Sequence, residues 1–160
     1  MKDNPETKEV GSLKAVQAAL KLLSARQRSV RELEEKLLGK GFCEEAVNGA
    51  VEHLLQAGLL DDERFAKGLA ESRTRHKAWG PARIARDLAS RGIDESIIKS
   101  ALAGCAPEED SALVAYRRWL KRNGREQGPR AREKAFRHLR ARGFSIAAIM
   151  KALGGVPSDE

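Results

Sequence analysis

The sequence predicts an all-α protein of three tandem repeats, each of three helices, about nine helices stacked into an elongated curved array. Three observations predict it. Aromatic residues are only 4% of the 160 residues while hydrophobic residues reach 41%, so the core is built from Leu, Ile, Val and Ala. That composition suits helix–helix packing better than a β-sandwich. Apolar residues recur at helical spacing, and no run shows sustained strand alternation. Above all, a pattern returns every 51 residues. Gly41, Gly92 and Gly143 share one column, Leu37, Leu88 and Leu139 another, and Lys40, Arg91 and Arg142 a third. Phe42, Ile93 and Phe144 follow the glycine; Val47, Ile98 and Ile149, then Ala50, Ala101 and Ala152, then Val51, Leu102 and Leu153 complete the match. So many columns of like chemistry at one offset mark a tandem repeat.

The expected units are residues 13–60, 61–105 and 106–153, with flexible tails at 1–12 and 154–160. In the first unit, Leu13 to Arg26 carries Val16, Leu20 and Leu23 on one helical face. Ser29 with Glu32 three residues on is a capping-box pair, and Leu33 and Leu37 form the buried face of the second helix. That helix ends at Gly41, where a left-handed backbone suits glycine, and Phe42 packs back. Glu44 to Gln56 is the third helix, with Val47, Val51 and Leu54 inward. The second unit opens at Asp61–Asp62, acidic residues suited to a helix N-terminus. Its helices span about 62–77, 81–90 and 94–103, with Pro81 in a first turn, where the missing amide is harmless. The third unit has helices at about 108–122, 129–140 and 145–153, with Asn123–Gly124 as a turn. A single three-helix unit buries little surface, so stacking supplies stability and gives the array a long concave side.

Net charge is +7, unevenly placed: residues 14–60 carry +1, residues 61–105 carry +2 and residues 106–153 carry +7, with the two tails at −3. The excess in the last unit points to an anionic partner. Cys43 and Cys105 lack CxxC spacing and a histidine cluster, so buried free thiols of a reducing compartment are expected. No signal-peptide-like or membrane-spanning apolar run stands out, so a cytoplasmic protein without a membrane partner is expected.

Three stretches carry a family resemblance. Leu22-Leu23-Ser24-Ala25-Arg26-Gln27-Arg28-Ser29, with Glu32-Leu33 and Lys36-Leu37, resembles the first repeat of the RecX regulators. Gly58-Leu59-Leu60-Asp61-Asp62-Glu63-Arg64-Phe65-Ala66 resembles that family's most recognisable motif, and Gly80-Pro81-Ala82-Arg83-Ile84 with Leu88 and Arg91-Gly92-Ile93 the next. The third repeat, with Leu139, Arg142-Gly143-Phe144 and Ile149, is similar more loosely, and the resemblance spans Leu13 to Leu153. It implies a protein of tandem three-helix repeats that lodges in the groove of the RecA–DNA filament; with no dimer seam in the sequence, a monomer is expected. The resemblance further implies inhibition of ATP hydrolysis, strand exchange and cleavage of the SOS repressor, together with weaker, salt-dependent binding of single- and double-stranded DNA.

The remaining motifs point to structure or to binding rather than to catalysis. Two adjacent acids at Asp61–Asp62 offer too few convergent oxygens for a metal, and helix capping explains them, with Arg64 free to pair with an acid and Phe65 buried. Gly80-Pro81 after Trp79 lacks phosphate-loop spacing and marks a turn into a helix, with Trp79 in the core or stacked on a partner. His53, His76 and His138 stand on three different helices without ligand-type neighbours. No cofactor, metal site or catalytic residue is expected. The candidate binding residues are basic and cluster at the turn after each unit's first helix: Arg26, Arg28 and Arg31; Arg73, Arg75, Lys77, Arg83 and Arg86; Arg117, Arg118, Lys121, Arg122 and Arg125; then Arg130, Arg132, Arg137, Arg140 and Arg142. Aligned along one side, they form a stripe for phosphates or acidic protein surface. Lys36, four residues after Glu32, is instead expected to pair with it. Two rival readings are a helix-turn-helix DNA-binding regulator without a RecA partner, recognisable by symmetric dimers and a sequence-specific footprint, and a nuclease that turns over DNA with divalent metal.

Overall fold

The computed structural model describes residues 5–124 and 128–154, with side chains from residue 11 onward. Among the described residues the chain forms nine α-helices and no strand. The first unit contains α1 (Pro5–Ala25), α2 (Val30–Leu38) and α3 (Glu44–Gln56). The second contains α4 (Asp62–Ser72), which runs into a single π-helical turn at Arg73–Lys77, then α5 (Pro81–Ser90) and α6 (Glu95–Ala103). The third contains α7 (Glu108–Asn123), α8 (Pro129–Ala141) and α9 (Ile146–Gly154). In each unit the first and third helices make the broadest contact, and the second closes the triangle.

Each unit has its own apolar core. Ala15, Ala19, Leu33, Leu37, Val47 and Leu54 fill the first; Phe65, Ile84, Leu88, Ile93 and Ile98 the second; Trp119, Ala135, Leu139, Phe144 and Ile149 the third. The leucine of the repeat, Leu37, Leu88 or Leu139, is fully buried in every unit, a position contributing about 1.5–3 kcal/mol through burial. One residue breaks the partition. Ala78, held in a left-handed conformation at φ 49° after the π-helical turn, belongs by chain to the second unit and packs into the core of the third.

The glycine column closes each middle helix in the same way. Gly41, Gly92 and Gly143 have φ of 89°, 77° and 89°. Their amides donate to Leu38, Ala89 and Arg140, and the following amides of Phe42, Ile93 and Phe144 donate back to Leu37, Leu88 and Leu139. This paired bonding satisfies carbonyls that a helix end leaves without partners, and it folds an apolar residue onto the leucine. At the other end of α2, Ser29 accepts from the Glu32 amide at 3.1 Å and the Glu32 carboxylate accepts from the Ser29 amide, the expected capping box.

Several expectations are corrected. The first helix opens at Pro5, so residues 5–12, expected to belong to a flexible tail, are helical. Its inward face is Ala15 and Ala19, both fully buried, flanked by Val16, Leu22 and Leu23, while Leu20 is exposed. Small residues allow this: an added Cβ at Gly49 would lie 3.2 Å from the Ser12 hydroxyl, so α1 and α3 approach closely there. Cys43, expected to be buried, is exposed at the start of α3, and Cys105 is half-buried; both are free thiols. Residues 1–4 and 155–160 of the expected tails, and Arg125, lie outside the described residues.

The joint between the second and third units generates a prediction. A Cβ added at Gly80, whose φ of −82° suits any residue, would lie 2.5–2.6 Å from the backbone of Gly143 and Phe144, whereas one added at Gly41 meets nothing within 4 Å. Gly80→Ala should therefore cost about 1–3 kcal/mol by forced separation, and Gly41→Ala about 1 kcal/mol from its left-handed backbone alone. Gly143→Ala, which suffers both, should melt lowest in a thermal unfolding series. A wild-type melting temperature for Gly80→Ala would remove this contact as a determinant of stability.

Candidate nucleic-acid interface

The units join end to end through their middle helices. The N-terminus of α2 sits on the glycine turn that ends α5, and the N-terminus of α5 sits on the glycine turn that ends α8. At the first joint the buried Ser29 hydroxyl donates to the Arg91 carbonyl at 2.7 Å, and the Arg31 stem covers Gly92. At the second, the Gly80 amide donates to the Arg142 carbonyl at 2.7 Å and the Ala82 amide to the Gly143 carbonyl at 3.2 Å. Amides without partners at one helix start thus meet carbonyls at another helix end, an alignment that the helix dipoles favour. Asp62 adds a tie between units by accepting from the Val30 amide at 2.9 Å, while Asp61 caps α4 through the Arg64 amide. Arg64 itself donates to the Gly58 carbonyl rather than pairing with an acid.

The arginine of the repeat reaches back across each joint, but its surroundings differ. Arg91 donates to Glu32 at 2.7 Å and to Asp87 at 3.0 Å, and Asp87 also accepts from Arg73 at 2.9 Å. Burial pushes the Glu32 and Asp87 carboxyls up, yet hydrogen bonds and nearby arginine charge outweigh it and hold both below the usual range. Arg26 takes the remaining side of Glu32, so the pairing expected for Lys36 is replaced by Arg26 and Arg91. Arg142 has no such carboxylates: its Nε donates to His138 Nε2 at 2.8 Å, and its guanidinium donates to the Lys77 and Ala78 carbonyls. Burial lowers the pKa of His138, helped by the charges of Arg142 and Arg122; burial also lowers that of Arg142, helped by Arg83, Arg122 and Arg118.

These contacts sort the basic candidates. Arg73 and Arg83 are half-buried, lie over the Trp79 ring at 4.9 and 4.2 Å, and help to build the second unit and the joint behind it. Arg28 is half-buried and bonds the Leu22 carbonyl, while Arg31 pairs with Glu35 at 3.0 Å. Arg118 is exposed and anchors the π-helical turn through the Arg75 and His76 carbonyls. Arg75, Lys77, Arg86, Arg117, Lys121, Arg122, Arg130, Arg132, Arg137 and Arg140 are exposed, with Arg137 3.9 Å from Glu133. The contacts of Arg91 and His138, which the sequence did not single out for binding, make them joint residues. The four-residue spacings Asp87–Arg91 and His138–Arg142 were a visible signal.

The matches to known proteins follow the same units. A family model described as RecX, first three-helix domain, matches residues 15–54, and one described as RecX, second three-helix domain, matches residues 61–102. The chain belongs to the RecX family. It is 37% identical over 139 residues to the regulatory protein RecX of Chlorobium limicola, covering 84% of each chain. It is 34% identical over 151 residues to that of Chromobacterium violaceum, covering 93% of each. The crystal structure of RecX from Lactobacillus salivarius superposes with a TM-score of 0.81 at 22% identity, covering 92% of this chain and 97% of that one, a likeness of fold. None of the described helices is long and apolar enough to cross a membrane.

Acid should loosen both joints. A histidine depressed below its ordinary 6.5 is neutral in both states at high pH. As pH falls through 6.5, the unfolded chain takes up the proton first and stability drops. Glu32 and Asp87, depressed below 4.5 and 3.8, contribute stability above those values and lose it as pH falls further. Unfolding free energy should therefore fall in two steps. The upper step should vanish in His138→Gln, and urea melts at pH 5 to 8 measure it. Arg91→Ala leaves two partly buried carboxylates short of a partner and should cost about 2 kcal/mol, most of it absent in the Glu32→Gln background.

Proposed function

We propose that this chain is a non-enzymatic, cytoplasmic negative regulator of the RecA recombinase. It binds as a monomer along the groove of the RecA–DNA filament and restrains ATP hydrolysis, strand exchange and SOS co-protease activity. Membership in the RecX family carries this reading. The end-to-end joining of units and the +7 charge of residues 106–153 support it, because an elongated basic array complements a long anionic object.

In the mechanism we propose, the action is steric and electrostatic. The array spans more than one RecA subunit and obstructs growth or coupled hydrolysis. Attraction comes mainly from the exposed arginines of the third unit, above all Arg130, Arg132, Arg137 and Arg140 on α8. Arg117, Lys121 and Arg122 on α7 add to it. The first two units supply shape and specific protein contacts.

The test is DNA-dependent ATP hydrolysis by RecA of the same organism, titrated with the full chain at substoichiometric ratios. Inhibition well below one molecule per RecA, persisting when free DNA is in excess, is expected. No effect, or one abolished by more DNA, would overturn the reading in favour of a basic DNA-binding protein. Charge reversal at Arg130, Arg132, Arg137 and Arg140 together should weaken filament binding. It should also lower the log–log salt slope on duplex DNA by roughly 3 to 4 units. An unchanged affinity and slope would reduce the third-unit stripe to a solvated helix face.

A further inference from the structure

The two joints are copies of one geometry with opposite electrostatic settings. Moving 51 residues along the chain carries Arg91 to Arg142, but it carries Glu32 to Arg83 and Asp87 to His138. Both carboxylates that neutralise the first joint's arginine are therefore replaced, one by a cation and one by a neutral imidazole. Beside Arg142 the molecule has a cavity of about 570 Å³, walled also by Lys77, Arg118, Arg122 and His138. No acidic side chain is among the described residues that line it. A volume in the range of about 300–1,000 Å³ is typical of small-ligand pockets. Four basic residues on one cavity, with no acid among the described residues that line it, form a site where an anion is favoured, and arginine forks match phosphoryl oxygens in geometry.

The backbone around the cavity is specialised as well. The π-helical turn Arg73–Lys77 and the left-handed Ala78 form one wall, and Arg118 and Arg142 pin that wall by donating to its carbonyls. π-Helical turns and left-handed non-glycine residues gather at functional sites, where surrounding contacts hold them in place. Here those contacts keep Lys77 and the two guanidinium groups on one cavity.

We propose that the cavity between the second and third units binds a phosphate group, held by Lys77, Arg118, Arg122 and Arg142. One wall of the cavity, His138, stands where Asp87 stands at the first joint. The source of the phosphate is either a free phosphoryl compound or a phosphodiester of single-stranded DNA. The inference does not depend on a RecA partner, and its test contains none.

The chain has two tryptophans, Trp79 and Trp119, and both line this cavity, so intrinsic fluorescence reports on it directly. The full chain is titrated with pyrophosphate and, separately, with an oligothymidylate lacking terminal phosphates, at ionic strength held constant with sodium chloride. A saturable change in emission with either probe is expected. Saturation by pyrophosphate alone assigns a free phosphoryl ligand, and saturation by the oligonucleotide assigns the phosphodiester. Arg122→Gln, at an exposed position, should weaken binding at least tenfold, whereas Lys99→Gln, which removes an equal charge elsewhere, should leave it unchanged. His138→Asp restores the carboxylate of the first joint. It should raise the melting temperature yet weaken phosphate binding at least tenfold, a combination that a purely structural histidine would not give. No saturable change with either probe, or undiminished binding in Arg122→Gln or His138→Asp, would overturn the proposal.

Discussion

A helix start seated on a glycine turn is the contact on which the rest of the array depends. It works because each partner lacks what the other offers: the first turn of a helix has amides without acceptors, and the last turn has carbonyls without donors. Gly80 and Ala82 donate to Arg142 and Gly143 across a gap that leaves no room for a side chain at Gly80 or Gly143. Glycine is required at Gly143 twice over, once for the left-handed backbone and once for the approach of Arg83. The same turn folds Phe144 onto the core under Leu139. One short sequence therefore ends a helix, seals a core and receives the neighbouring unit.

Seating the helix start also decides where the arginines go. Arg31 and Arg83 lie against the next unit's turn because they follow the seated residues, and Arg91 and Arg142 reach back because they precede the glycine. What each arginine finds there is set by single residues on the opposing elements. Glu32 and Asp87 close the first joint as a compact ion-pair cluster with Arg26, Arg73 and Arg91. Arg83 and His138 leave the second positive. Arg118, Arg122 and Arg142 stand at that joint too, so part of the third unit's charge excess lies at its joint and not only on its surface.

The features that local chemistry dictates were legible in the sequence. Glycine and leucine columns 51 residues apart marked the three turns, because only glycine takes their φ cheaply and only a large apolar residue fills the core beneath. The Ser29–Glu32 box was legible because both partners lie within one turn. The close approach of α1 to α3 at Ser12 and Gly49 was not, because it leaves a signature of small residues rather than of hydrophobic period. Nor was the fate of Glu32: Lys36 stands four residues away, but Arg91 is 59 residues distant and sits nearer in space. Arg73 and Arg83 looked like binding residues for the same reason, since their acceptors, Asp87 and the Ala141 carbonyl, lie 14 and 58 residues further on.

This division bears on how the basic residues are to be interpreted. Each apolar core closes within its own unit, apart from Ala78, so the angle between units is governed by a few hydrogen bonds and ion pairs at the joints. Stability in such an array is a sum of unit terms and nearest-neighbour terms, and in this chain the neighbour terms are largely polar and charged. Arginines at the joints therefore set the shape of the array, and Arg140 acts with them by donating to the Phe144 carbonyl beside the second joint. Arg130, Arg132 and Arg137 on the exposed face of α8 leave the joints untouched. Loss of binding on replacing Arg83 would speak of shape, and loss on replacing Arg130 would speak of contact. The two groups share a charge and a residue type, but only the second can be removed without moving the units against one another.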